Sequence, residues 1–134
     1  MATWNEVKTL LKSQYPIMFE KEEVNYSVLG IEFTIAGQNR LQKLIISKIP
    51  TQGAGEWVQI ASPIGKIPQN RLIYTLETVS KLAFGGIVKD GELYYLRESI
   101  QLVTISPKEL IDVINTIVPV ADALERDCLG SDEY

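Results

Sequence analysis

The sequence predicts an α+β domain with the element order α-β-β-β-α-β-β-α, an antiparallel sheet carrying its helices mainly on one face. Three observations predict it. Apolar residues recur at helical spacing near both ends and once in the middle, and at a period of two between those segments. Glycine, proline and asparagine clusters separate the alternating runs. Strands that follow one another through short turns pair antiparallel and leave the helices segregated from the sheet.

The elements follow in order. Thr3-Trp4-Asn5-Glu6 has the form of a capping box, and Trp4, Val7, Leu10 and Leu11 share one helical face before Pro16, so a helix is expected over residues 4–14. Residues 17–27 suit an irregular edge strand. Leu29, Ile31, Phe33 and Ile35 then alternate with small or polar residues, and Ala36-Gly37-Gln38-Asn39 reads as a turn. Leu41 to Ile49 and Glu56 to Ser62 are the next two strands, separated by Pro50-Thr51-Gln52-Gly53-Ala54-Gly55. Pro68 suits the first position of a helix whose stripe is Leu72, Leu76, Val79 and Ala83 and which ends before Gly85-Gly86. The two glycines are expected to leave room under a facing aromatic ring.

A hairpin is expected next, with Asp90-Gly91 as a type I′ turn between Ile87-Val88-Lys89 and Glu92-Leu93-Tyr94-Tyr95-Leu96. Ser106-Pro107-Lys108-Glu109 combines a second capping box with a proline at the first helical position. The helix it opens carries one stripe, Leu110, Ile114, Ile117, Ala121, Leu124 and Cys128. Pro119 lacks an amide and predicts a kink near Asn115 to Val118. At 134 residues the chain fits a single domain, residues 1–134, with 130–134 expected as a frayed acidic tail.

Composition narrows the function. The net charge is −4 and the lysines and arginines are scattered, which argues against a nucleic-acid stripe or an anionic-membrane patch. One cysteine makes no intramolecular disulfide. No signal-peptide pattern opens the sequence and no apolar run approaches the roughly 18 residues of a membrane span, so the cytoplasm is the expected compartment.

With no histidine, the chain lacks Ser-His and Cys-His nucleophile pairs and the usual zinc sites. Gly53-Ala54-Gly55 lacks the lysine of a phosphate loop. Glu20, Glu22 and Glu23 lack calcium-loop spacing and read as a solvated edge that deters sheet-to-sheet pairing. Asp122, Glu125 and Asp127 read as a solvated helix face, and Cys128 as core filler. No catalytic residue, cofactor site or metal site is expected, and the chain is expected not to be an enzyme.

One feature points outward. Pairing across Asp90-Gly91 sets Ile87 opposite Tyr94 and Val88 opposite Leu93. Ile87, Tyr94 and Leu96 then share one face and Val88, Leu93 and Tyr95 the other, so both faces of the hairpin are apolar. A sheet with helices on one side has a polar second side unless something covers it. A loop or helix of the same chain, a second copy, or a partner peptide would each serve. A homodimer through the sheet is expected, with Ile87, Tyr94 and Leu96 as the contact residues.

The run Leu72 to Gly86, the Asp90-Gly91 hairpin, Arg97 at its exit and the last helix with Ala121-Asp122 together resemble the YbjN family of bacterial proteins, best over about residues 70–125. The fold of that family is similar to that of the type III secretion chaperones. The resemblance implies a non-enzymatic, often dimeric protein that binds peptides or regulates other proteins. The expectation is a chaperone-like or adaptor module with a protein or peptide partner, or a structural or regulatory homodimer without a peptide groove.

Overall fold

The computed structural model describes residues 3–23, 27–34, 41–51 and 55–129. The expected turn at 36–39, the centre of the loop at 52–54 and the acidic tail at 130–134 lie outside them. The described elements run α1 (Trp4–Gln14), β1 (Ile17–Glu22), β2 (Ser27–Thr34), β3 (Leu41–Thr51), β4 (Gly55–Gly65), α2 (Gln69–Val79), β5 (Gly86–Asp90), β6 (Leu93–Gln101) and α3 (Pro107–Leu129). The fold is α+β, and all six strands form one antiparallel sheet in the order β1-β2-β3-β4-β6-β5. The segment expected as an irregular edge is a true strand, β1, with a register break between Ile17 and Phe19.

One face of the sheet builds the core. Leu29 and Ile31 of β2, Leu44 and Ile46 of β3, Val58 and Ile60 of β4 and Leu96 of β6 share it and are all buried. α3 lies over them with the expected stripe of Leu110, Ile114, Ile117, Ala121 and Leu124, joined by Val113 and Val118. Ser106 caps this helix, its hydroxyl accepting the Glu109 amide at 3.1 Å. α3 is assigned as one helix through Pro119, which sits on its exposed side.

α1 covers β1 and β2 on the same side. Thr3 Oγ1 accepts the Glu6 amide at 3.2 Å, and Trp4, Val7 and Leu11 enter the core. A polar chain then ties helix to sheet. Trp4 Nε1 donates to Ser27 Oγ at 2.7 Å, and Ser27 Oγ donates to Glu22 Oε1 at 2.8 Å. Lys8 pairs with Glu22 and Lys12 with Glu20. The acidic run of β1 is exposed on the edge strand, as expected, and Glu20 and Glu22 also anchor α1 to it.

Four local expectations are corrected. The β5–β6 register pairs Asp90 with Leu93 and Ile87 with Leu96, so the two-residue turn is Gly91-Glu92. Only Gly91, at φ 63°, has positive φ there, which fits a II′ turn and excludes I′. The buried side of α2 is Thr75 and Val79, with Leu72 partly covered, while Leu76 and Ala83 are exposed. No aromatic ring faces Gly85-Gly86: a Cβ on Gly85 would sit 3.3 Å from Ile117 Cδ1, and one on Gly86 would meet open space. The close glycine–ring contact is elsewhere, where a Cβ on Gly30 would overlap the Phe19 ring.

The fourth correction concerns α3. Asp122 and Glu125 are 1% and 0% exposed, and only Asp127 is solvated. Asp122 Oδ2 lies 3.4 Å from Arg126 Nε one turn later. Both carboxylates flank the apolar stripe, and the neighbours that bury the stripe bury them too.

Candidate functional site

Alternation along each strand sends the second set of side chains to the face opposite the helices. On that open face the cross-strand register aligns residues into rows that run across the strands. One row joins Phe19, Gly30, Ile45 and Ala61 and ends in Arg97. The next joins Lys21, Val28, Ser47, Gln59 and Ser99. Beyond it Ile49 pairs with Trp57 and Trp57 with Gln101. Tyr95 pairs with Val88 on the other side of the first row. The rows lie about 7 Å apart, two residues of strand rise, and the polar row from Lys21 to Ser99 separates two rows that carry apolar side chains.

The first row ends in a groove. The Phe19 ring lies against Gly30, where only a hydrogen side chain leaves room for it. The register break brings Met18 out beside it. Met18 and Phe19 are 60% and 51% exposed, large apolar side chains left in water at the edge of the sheet. Together with Gly30, Glu32, Lys43 and Ile45 they border a groove of about 320 Å³. Its walls are apolar and its mouth carries one charge of each sign, Glu32 and Lys43. Contact with another apolar surface would remove these side chains from water.

The residues expected from the sequence to make the contact lie elsewhere. Ile87, Tyr94 and Leu96 face the helices. Leu96 is 0% exposed and packs within the core, while Ile87 and Tyr94 are half-buried against it. Leu96 therefore has no surface to offer a partner. Of the opposite set, Val88, Leu93 and Tyr95, all are half-exposed, and Val88 and Tyr95 belong to the open face.

Sequence reasoning missed Met18 and Phe19 because β1 lacks clean alternation, its break shifting Met18 out of phase. The signal that could have found them is Gly30 inside an otherwise apolar strand, since glycine there marks a close approach.

Glu20, Glu22 and Cys128 join helices to their neighbours. Glu22 is held below its ordinary value first by the Lys8 hydrogen bond and then by Ser27, and Glu20 first by the Lys12 hydrogen bond. Cys128 is partly buried, its Sγ 3.4 Å from Thr75 Oγ1, and joins α3 to α2. No described helix is long and apolar enough to cross a membrane. No protein-family model matches the chain, and no curated protein matches it.

Proposed function

We propose that this chain is a non-catalytic protein- or peptide-binding module, chaperone-like or adaptor in kind and YbjN-like in family, that works through the open face of its sheet in the cytoplasm. One observation carries the reading: the exposed pair Met18 and Phe19 continues through Gly30 into Ile45 and Ala61 on the face without helices. Burial of a large apolar side chain is worth roughly 1.5–3 kcal/mol, so a partner that covers two or three of them gains several. The apolar rows select apolar segments, and the polar row between them sets their alignment. The absence of histidine from the whole chain is consistent with a role outside acid–base catalysis.

The second reading is a homodimer through the same face, favoured because rows of this kind pair with their own copy across a two-fold axis. Partners recovered from the native cell and mapped with tiled peptides distinguish the two. The module reading expects a recurrent short apolar segment whose capture is lost in Ile45→Lys. The homodimer reading expects wild-type protein at tens of micromolar to sediment as a dimer and Ile45→Lys as a monomer. Capture and mass both unchanged in Ile45→Lys and Phe19→Ser would overturn the open face as the contact surface.

A further inference from the structure

A second opening lies on the helix side of the sheet, four strands from β1. Between β6, the chain after α2 and the first turns of α3 runs a cleft of about 540 Å³, walled by Phe84, Ile100 and Val113 and bordered by Glu98, Lys108 and Asp112. Glu98 is the unusual member. The β4–β6 register sets it opposite Ile60, on the face that otherwise supplies the core. A carboxylate in that position requires hydrogen bonds. The Gly85 amide donates to Oε2 at 2.7 Å and the Ser99 amide to Oε1 at 3.1 Å.

Gly85 takes a backbone conformation that favours glycine. Its φ is 98°, and a Cβ there would press on Ile117 and Leu96 of the core. The Glu98 carboxylate is thus held in place by the backbone, and each oxygen retains acceptor capacity beyond the single bond it receives.

The charge around it is unbalanced. Glu109 joins Glu98 and Asp112 at the cleft, and Lys108 is its one cationic lining residue. The Lys108 ammonium lies 2.6 Å from Asp112 and is turned to that partner. The N-terminus of α3 contributes roughly half a positive charge, which offsets only part of the remainder. An apolar trough with surplus negative charge suits an alkyl stem that ends in a cation. The Phe84 ring in the wall favours a flat guanidinium over an ammonium. The cleft is open along its length, a socket for a side chain delivered from outside.

We propose that this cleft receives an arginine side chain presented by another protein, its stem along Ile100 and Val113 and its guanidinium between Glu98 and Phe84. The site lies on the opposite face from Ile45, so it stands or falls separately from the open-face reading.

The test is an NMR titration of the full isotope-labelled chain with Ac-Ala-Arg-Ala-NH2 and with its citrulline counterpart, which has the same shape and no charge. Saturable shifts are expected at the Gly85, Ser99 and Val113 amides, with the arginine peptide binding about three- to fivefold more tightly. Glu98→Gln and Glu109→Gln should each narrow that preference, and Ile45→Lys should leave it unchanged. If Glu98→Gln fails to fold, Glu109→Gln decides, since it alters an exposed side chain. Shifts that do not saturate or that centre elsewhere, or equal binding of the citrulline peptide, would overturn the proposal. Putrescine matching the arginine peptide at these amides would overturn the protein source in favour of a free amine.

Discussion

The two faces of the sheet are made from alternate residues of the same strands, and they have opposite fates. Leu44, Ile46, Val58 and Ile60 point to the helices and are buried, while Ile45, Ile49, Trp57 and Ala61, their sequence neighbours, point away and stay half-exposed. The two sets do not differ in hydrophobicity as much as in what covers them. Trp57 and Ile49 are as apolar as Ile60, but no described helix lies on their side. Apolar content thus fixes that a side chain gains by burial, and the helices decide which side chains realise that gain within the chain.

The strongest way to break this comparison is to place a charge on each face. Leu96→Asp buries a carboxylate among aliphatic side chains and is expected to cost about 4 kcal/mol or more, enough to unfold a small domain. Ile45→Lys on the open face is expected to leave the far-ultraviolet circular dichroism and the urea midpoint nearly unchanged. A folded Leu96→Asp protein would mean that β6 turns its other face to the helices.

A milder pair sharpens the contrast between adjacent residues of β3. Leu44→Ala opens a cavity under α3 and should lower stability by about 3 kcal/mol. Ile45→Ala removes side-chain area that is already partly wet and should cost about 1 kcal/mol. Equal losses in chemical denaturation would show that the open face is covered in solution.

The smallest expected effect concerns the edge where α1 meets β1. Glu20 and Glu22 have pKa values held below their ordinary 4.5 by hydrogen bonds from Lys12 and Lys8. A carboxyl whose folded pKa is depressed stabilises the fold fully above its unfolded pKa, and loses that contribution as pH falls through the folded value. The anchor of α1 should therefore loosen below the ordinary 4.5 and hold above it. Trp4 fluorescence in a Trp57→Phe background reports it, since Trp4 bonds to the Ser27 that also holds Glu22. Glu22→Gln should flatten that acid response. An unchanged profile in that variant would remove the ion pairs from the account.

Much of the fold was legible because it rests on local rules. The capping boxes at Thr3 and Ser106 form their first-turn hydrogen bonds, and the stripe Leu110, Ile114, Ile117, Ala121 and Leu124 is the buried face of α3. The hairpin register was not legible. Asp90-Gly91 and Gly91-Glu92 both place a glycine where positive φ is needed, so local sequence allows a I′ or a II′ turn. The two registers keep the same residues on the same faces, and the difference appears only in which residues stand opposite one another.

The candidate surface was legible in part. The sequence by itself determined that both faces of the β5–β6 hairpin carry apolar side chains, because a period of two distributes them to two sides whatever lies beyond. It also determined the class, α+β with an antiparallel sheet, because short turns between alternating runs leave no room for parallel crossovers. Only the tertiary structure decided that Leu96 belongs to the core and Ile45 to the open face. α3 can lie on just one side, and its choice depends on the summed fit of Leu44, Ile46, Val58, Ile60 and Leu96 from three separate strands, which no local window of sequence contains. The same long-range packing buried Asp122 and Glu125 and fixed Glu98 through the Gly85 amide, since burial and hydrogen-bond partners come from residues distant in the chain.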